Sequence, residues 1–284
     1  MDNVPLDAVD DALARAVVFR ALSLALQPPN DDRLRQMGAS DGFGDVVAAL
    51  RWLDCRAGGS GLEAVATQLA AMSPLPVEPV TERFVHLFGH TTRGLVCACE
   101  TEYGPDNGFH QPQQLADIAG YYLAFGLRPI AGSDTRVDHI ACECEFMDFL
   151  NRKEAVLLAG ETRSAHAGET LEVTQHAARG FLREHLARFG CAFATRLADK
   201  DHDGYYGAVG RMLLAFLKTD CARLGIGAGP TDLAVRSEMV DDAPMACGTA
   251  DELIQIQRPR GSGVGRRGPP ERPSRGSEQS PDSS

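Results

Sequence analysis

The apolar residues of this chain recur at steps of three and four, and this helical period limits its fold more than any other feature. Residues 6–26 begin the pattern with five apolar side chains: Leu6, Val9, Leu13, Val17 and Leu24. No stretch sustains the alternation of apolar and polar residues that a half-buried strand requires. We therefore predict an all-α fold, a single-domain helical bundle.

The same period predicts the positions of the other helices. They are expected at residues 44–55, 61–72, 81–88, 112–126, 134–159, 165–197 and 204–224. Residues 89–110 hold Gly89, Gly94, Gly104 and Pro105, which predicts a long irregular loop. A loop of this length inside a compact domain is often functional.

Length and composition predict one core and a tail. The chain has 284 residues, of which 44% are hydrophobic, enough to bury a core without disulfides. We predict an all-helical domain over residues 1–227 and an irregular extension over 228–257. Residues 258–284 hold five Pro, five Gly and six Ser, a composition typical of a disordered tail.

The charge distribution limits the classes of partner. The chain carries a net charge of −11, made of −14 on residues 1–257 and +3 on residues 258–284. Binding to nucleic acid needs clustered Lys and Arg, so we predict none. The acidic body suits either a positively charged partner segment or simple solubility.

The beginning of the sequence bears on location. Residues 1–12 are acidic and lack the pattern of an export signal, and no apolar run approaches the roughly 20 residues of a membrane span. These features predict a cytoplasmic protein that does not insert stably into a membrane. Its eight cysteines are then expected to be thiols.

Sequence templates for catalysis and for calcium binding do not fit. There is no Walker loop, no G-x-S-x-G elbow and no H-E-x-x-H, so we predict a protein that is not an enzyme. Asp199–Gly204 resembles the start of a calcium loop, but the twelfth position is Gly210 where a bidentate Glu is needed. We interpret this stretch as an acidic linker whose Asp203 caps the next helix.

Two C-x-C pairs leave an alternative open. Cys97 and Cys99 lie in the predicted loop, whereas Cys142 and Cys144 lie in a predicted helix. Residues two apart on a helix point about 200° away from each other, so the second pair cannot chelate one ion. Buried thiols are the favoured interpretation. The alternative is a helical metal-binding or thiol redox-sensing protein that uses these four cysteines.

Asp138 and His139 fall in the first turn of the predicted helix 134–159. The helix dipole favours a carboxylate there and disfavours a protonated histidine. From the residues alone, Asp138 is expected to help cap the helix and His139 to be a buried, hydrogen-bonded side chain.

Several segments, taken in order, resemble a known family. They are Phe84-Val-His-Leu87-Phe88, Glu100-Thr-Glu102-Tyr103-Gly104, residues 114–127, Val137-Asp138-His139-Ile140-Ala141 with its continuation to Leu150, residues 185–189, and Tyr205-Tyr206 ahead of 213–217. Over residues 80–224 this order and spacing resembles the TorD/DmsD/NarJ family of redox-enzyme maturation chaperones. The Glu-Tyr-Gly loop resembles members that serve dimethyl sulfoxide reductase-like enzymes of the nitrate, selenate, chlorate or ethylbenzene type. Thr135 and Arg136 depart from the family, which usually has Glu, often followed by Pro, at these positions.

The resemblance implies a chaperone that binds the apo catalytic subunit of a molybdopterin oxidoreductase, through its twin-arginine signal or N-terminal segment. Such a chaperone supports cofactor insertion before export or assembly, and it is not a constitutive subunit of the mature enzyme. It is expected to have no cofactor of its own, and molybdopterin guanine dinucleotide would be handled in transit.

The resemblance also suggests a partner-binding groove between helix 81–88, the loop 96–110 and the start of helix 134–159. Its predicted partner-binding residues are Phe84, Leu87, Phe88, Glu100, Glu102, Tyr103, Asp138 and His139. The acidic side chains would meet the partner's cations, and His139 would form a hydrogen bond or order the loop. For Phe84, Leu87 and Phe88 the alternative is ordinary core packing. No catalytic or metal-binding residue is assigned.

Overall fold

The chain folds into α-helices joined by turns in the computed structural model, which describes residues 6–89, 94–104, 111–128, 135–160 and 167–236. The helices are α1 Leu6–Ala25, α2 Asp31–Gln36, α3 Gly44–Arg56, α4 Leu62–Ala70, α5 Val77–Phe88, α6 Gln111–Ala124, α7 Ile140–Leu158, α8 Ala167–Phe181, α9 Ala187–Lys200 and α10 Tyr205–Leu224. A 3₁₀ turn spans Glu100–Glu102, and a π-helical turn, Leu182–Leu186, joins α8 to α9. Among these residues there are two isolated β-bridges and no strand. The all-α prediction is confirmed.

Apolar burial holds the helices together. The helix α1 packs along α7, α9 packs on α10, and α3 packs on α4. Phe19 of α1 meets Phe216 of α10 edge to face, with ring centroids 4.7 Å apart, and both rings are buried. Each such side chain contributes about 1.5–3 kcal/mol by leaving water. The core therefore joins the first helix of the chain to the last.

The predicted short helix 81–88 begins earlier than its prolines suggested. The helix α5 starts at Val77, with Pro76 as its N-cap and Pro79 within the first turn. The first N–H groups of a helix have no intrahelical acceptor, so proline costs little there.

The six-residue α2 is absent from the prediction. It is capped by Asn30, whose side chain accepts from the Arg33 N–H at 2.9 Å.

The helix predicted at 134–159 begins at Ile140, so its predicted start is wrong. Residues 129–134 lie outside the described residues. The predicted single helix 165–197 is α8 and α9 with the π-helical turn between them, and residues 161–166 are also outside the described range.

The described part of the predicted loop, residues 94–104, is fixed to three parts of the fold. The Val96 N–H donates to the Leu87 carbonyl at 2.9 Å, and the Glu100 N–H donates to the Asp138 carbonyl at 2.9 Å. The Gly104 N–H donates to the Ala234 carbonyl at 3.0 Å. The loop thus joins the end of α5, the chain before α7 and residues 234–235. The predicted loop residues 90–93 and 105–110 are not among the described ones.

Asp201, rather than the predicted Asp203, caps α10. Its Oδ2 accepts from the N–H groups of Tyr206 at 2.9 Å and Gly207 at 3.3 Å, while Arg83 donates to Oδ1 at 2.6 Å. Gly204 occupies the N-cap position itself. The buried carboxylate of the calcium-like stretch is therefore committed to the fold.

The described residues belong to one compact unit, Met1–Ala243. Residues after the predicted domain boundary at 227 still pack on it, because Val235 is buried and bridges to Tyr103. The predicted boundary at 257 and the predicted tail 258–284 lie outside the described residues, so both stay predictions.

Candidate functional site

Asp138 lies at the centre of a buried polar cluster. Its side chain is fully buried, and Arg136 binds it in a bidentate manner, with Nε 2.9 Å from Oδ1 and Nη2 2.9 Å from Oδ2. Thr101 adds two donors to Oδ2, its N–H at 3.1 Å and its hydroxyl at 2.8 Å. A buried carboxylate needs such partners to offset its lost hydration. Asp138 therefore fixes the loop 94–104 to the chain that precedes α7.

Arg136 extends this cluster toward the surface. Its Nη1 lies 2.9 Å from Glu102 Oε1, and its Nη2 lies 2.6 Å from the Thr101 hydroxyl oxygen. One guanidinium thus brings together two of the predicted site residues, Glu102 and Asp138. The sequence showed Arg136 only as a departure from the family pattern, and sequence reasoning missed its role. A cation two residues before a buried acid was the available signal.

His139 is the N-cap of α7, the role that had been expected for Asp138. Its Nδ1 accepts a hydrogen bond from the Ala141 N–H at 3.2 Å. Burial lowers the pKa of His139 to about 4, although the charge of Asp138 opposes the shift. At neutral pH the ring is therefore uncharged, with its proton on Nε2. This state suits a helix N-terminus, which disfavours a cation.

The predicted aromatic and apolar site residues contribute to the core. Leu87, Phe88 and Tyr103 are buried, and Phe84 is partly buried against them. The ring centroids of Phe84 and Phe88 are 4.7 Å apart, and the Tyr103 hydroxyl donates to the Cys97 carbonyl at 2.7 Å. A partner could touch Leu87, Phe88 or Tyr103 only if these side chains left the core. Their direct contact with a partner stays a prediction.

Glu100 belongs to a second buried cluster. Arg188 donates to its Oε1 from Nε at 2.9 Å and from Nη2 at 2.6 Å, and His185 Nδ1 lies 3.1 Å from Oε2. Glu143 is also fully buried, and burial together with the charges of Glu100 and Asp138 raises its pKa well above the ordinary value. Burial thus favours the protonated form of Glu143 over the carboxylate. Sequence reasoning assigned no role to Glu143, His185 or Arg188; the last two are three apart, the helical spacing that puts residues on one face.

The cysteines do not form a metal site in the part of the chain that the structure describes, where no cysteine belongs to a group of three side chains placed to hold an ion. A hydrogen bond to Cys97, with burial, raises the pKa of Cys99. Burial raises the pKa of Cys142 to about 12 and that of Cys144 well above its usual value. Protonated thiols are poor ligands and poor nucleophiles, so these shifts favour the interpretation as buried thiols for Cys99, Cys142 and Cys144. The hydrogen bond with Cys99 instead lowers the pKa of Cys97.

An open apolar cleft adjoins the Asp138–His139 segment on the side of α6. Its volume is about 460 Å³, within the usual range for binding pockets. The apolar walls are Tyr122, Leu127, Val137, Ala141, Phe146 and Phe149. Glu145 and Asp148 of α7 add acidic groups, and Arg128 and Arg152 add basic ones. We call this the α6–α7 cleft. It differs from the predicted groove, which lay beside α5.

Residues 57–195 match the family model described as the nitrate reductase delta subunit. The chain belongs to the NarJ/TorD family. This family consists of chaperones for molybdoenzyme assembly rather than of enzymes, and its members interact with the catalytic subunit of a molybdoenzyme. A search of curated proteins found no match to this chain.

None of the described helices combines the length and the apolar character that crossing a bilayer would need.

Proposed function

We propose that this chaperone acts in the cytoplasm and binds the apo catalytic subunit of a molybdopterin oxidoreductase through that subunit's N-terminal or twin-arginine segment. It would hold the subunit while molybdopterin guanine dinucleotide is inserted, and release it for export or assembly. The family supports the class of client. The observation that carries the peptide-binding step is the α6–α7 cleft, an apolar trough with carboxylates at its edge.

The chemistry of the cleft suits such a segment. Its aromatic and aliphatic walls can receive apolar side chains, as grooves of helical domains commonly do for peptides. Glu145 has a side chain that is 58% exposed and lies 3.6 Å from Arg20, so it keeps surface available to an incoming cation. Complementary charge of this kind favours the encounter and fixes the direction of the peptide.

Asp138 and His139 would support this binding indirectly, without contact with the peptide. Val137 and Ala141, their near neighbours in sequence, line the cleft, while Asp138 and His139 face donors of the protein itself. In this proposal they hold the edge of the cleft in place and do not contact the client. Glu102, which is partly exposed and bound to Arg136, belongs to the same support.

A charge reversal with a matched control tests the location. We expect Glu145→Lys to weaken the binding of a fluorescent twin-arginine peptide about two- to fivefold, which corresponds to about 0.4–1 kcal/mol, the upper part of the range for exposed charges. The control is Glu82→Lys, the same change at an exposed position of α5 beside the predicted groove. It should bind like the parent protein. A peptide with Gln-Gln in place of Arg-Arg should bind both variants with similar affinity.

The opposite result is equally informative. If Glu82→Lys weakens binding and Glu145→Lys does not, the groove beside α5 is the peptide site and the cleft is not. If neither variant nor the parent protein binds the peptide, the proposed engagement of the twin-arginine segment is wrong. The client would then be identified by its co-purification with the tagged chaperone, as a molybdopterin oxidoreductase subunit.

A further inference from the structure

Three potential metal ligands converge between α6 and the π-helical turn. Asp117 lies on α6, and Glu184 and His185 lie in the turn Leu182–Leu186. One ligand atom from each lies within 4.8 Å of the others. Asp117 and Glu184 are exposed, whereas His185 is 3% exposed. Turns of π-helix occur frequently at functional sites, but position and acidity alone would not establish a site.

The independent observation is an unpaired nitrogen of His185. Its Nε2 is buried and has no hydrogen-bond partner, although it lies 3.3 Å from Asp117 Oδ2. Its Nδ1 lies 3.1 Å from Glu100 Oε2, and Arg188 fixes Glu100 from the other side. If Nδ1–H donates to Glu100, then Nε2 carries a lone pair. A lone pair and a carboxylate oxygen at this distance repel each other unless a positive species lies between them.

The surroundings of His185 match those of metal-binding histidines. Such a histidine almost always donates its other N–H to a carboxylate or carbonyl, which fixes the tautomer and the direction of the ring. Glu100 occupies that position. Tyr121 and Phe181 pack against the imidazole, with ring centroids 5.5 and 5.1 Å away, and limit its rotation.

Glu184 is held in the same region by two neighbours. The Tyr121 hydroxyl donates to its Oε2 at 3.0 Å, and Arg183 pairs with its Oε1. A metal ion would therefore compete with Arg183 for one oxygen, whereas Asp117 has a side chain that is 61% exposed. The two carboxylates face solvent, so water could complete the coordination of an ion.

We propose that His185 Nε2, Asp117 and Glu184 bind one divalent transition-metal ion, with Glu100 orienting the imidazole. One imidazole and two carboxylates are ligands that Zn²⁺ accepts at about 2.0–2.2 Å, and Mn²⁺ accepts the same oxygen-rich set. The ion would join α6 to the π-helical turn. This inference does not depend on the proposed function.

The first test is metal binding by the full chain. Protein freed of metal with a chelator is titrated with Zn²⁺ and with Mn²⁺, and binding is followed by calorimetry and by the loss of the free Mn²⁺ paramagnetic resonance signal. We expect one equivalent to bind, and we expect Zn²⁺ to raise the melting temperature, since a ligand of the native state stabilises it. Asp117→Asn and Glu184→Gln should each weaken binding tenfold or more.

Two controls separate this site from other ligands. The exposed pair His202–Asp203 offers a histidine and an acid elsewhere on the surface, so His202→Asn/Asp203→Asn should bind like the parent. Cys55→Ser removes an exposed thiol and should also leave binding unchanged. Because Asp117 and Glu184 are exposed, their variants are expected to fold, which circular dichroism checks.

The contrary result is equally clear. Absence of saturable binding, or equal binding by Asp117→Asn, Glu184→Gln and the parent, would overturn the proposal. In that case a hydrogen bond from the His185 Nε2–H to Asp117 would take the place of the ion. The ¹⁵N chemical shifts of the His185 ring distinguish the two states, because a metal-bound Nε2 and a protonated Nε2 resonate at different frequencies.

Discussion

Arg136 replaces a residue type that the family usually carries, and its side chain now satisfies a fully buried acid. The Asp138 carboxylate receives two donors from Arg136 and two from Thr101. A buried ion pair adds little net stability compared with an apolar pair, but removal of one partner leaves a buried charge without compensation. Loss of Arg136 alone should therefore cost more stability than loss of both charges of the pair.

Arg136→Ala should consequently destabilise the protein by about 3 kcal/mol, the lower end of the range for a broken buried pair, because Arg136 is itself partly exposed. Arg136→Ala/Asp138→Asn should recover part of this loss, since the amide carries no charge. Urea unfolding of the parent, both single variants and the double variant measures the coupling. Additive effects in this cycle would contradict the proposed pairing.

His139 gives the protein an acid-sensitive cap. Its pKa is lowered to about 4 in the folded state, against about 6.5 for an unfolded histidine. Between these values the unfolded chain binds the proton and the folded chain does not, so stability falls as pH drops from 6.5 to 4. Across this pH range, the His139 shift lowers the free energy of unfolding by about 3 kcal/mol.

His139→Asn should remove that loss, because asparagine also caps helices well but does not titrate. At pH 7 the variant should unfold at nearly the same urea concentration as the parent. At pH 4.5 it should be the more stable of the two. His139→Ala supplies the comparison, since it lacks both the cap and the titrating group and should be about 1 kcal/mol less stable than His139→Asn at every pH. Equal pH profiles for the parent and His139→Asn would refute this origin of the acid sensitivity.

Among the elements, Gly210 determines how closely α9 and α10 approach. A Cβ at this position would lie 2.7 Å from the Ala194 carbonyl oxygen and 2.8 Å from the Ala198 nitrogen. Both are backbone atoms of α9 and cannot move without the helix. The glycine that excludes a calcium loop is thus required for helix packing.

Gly210→Ala should cost about 1–3 kcal/mol from overpacking, despite the roughly 1 kcal/mol that alanine gains in helix propensity. Gly120→Ala is the matched control. Gly120 lies exposed in α6, and among the described residues no atom beyond its chain neighbours and its own helix backbone lies within 4 Å of the position that a Cβ would occupy there, so this change should stabilise the protein slightly. Thermal unfolding followed by circular dichroism compares the two. A stabilised Gly210→Ala variant would show that α9 and α10 can move apart at little cost in free energy.

The elements also show how far the sequence could be used for prediction. The helical period is local, so it predicted the all-α class and the positions of most helices. It failed where caps are unusual, at Pro76 and His139, and where α2 is too short to show a period. The pairs Glu100–Arg188 and Thr101–Asp138 join residues far apart in sequence, and no local pattern could place them.

On the scale of the whole molecule, charge is distributed unevenly along the chain. Residues 1–257 carry −14 and residues 258–284 carry +3. Long-range electrostatic attraction depends on this net charge and weakens as salt shortens the Debye length, from about 30 Å at 0.01 M to about 3 Å at 1 M. A positively charged client segment should therefore be attracted to the body, and the tail should reduce that attraction.

Deletion of residues 258–284 tests both this charge argument and the predicted domain boundary. We expect the melting temperature to stay the same, because the composition of the deleted residues predicts that they lie outside the folded domain. At low salt the shortened protein should bind a twin-arginine peptide about two- to threefold more tightly, and near 1 M salt the difference should vanish, as screening requires. A fall in melting temperature would mean that these residues belong to the fold. A difference in affinity that persists at high salt would mean that they contact the peptide site directly, since screening removes only the contribution of distant charges.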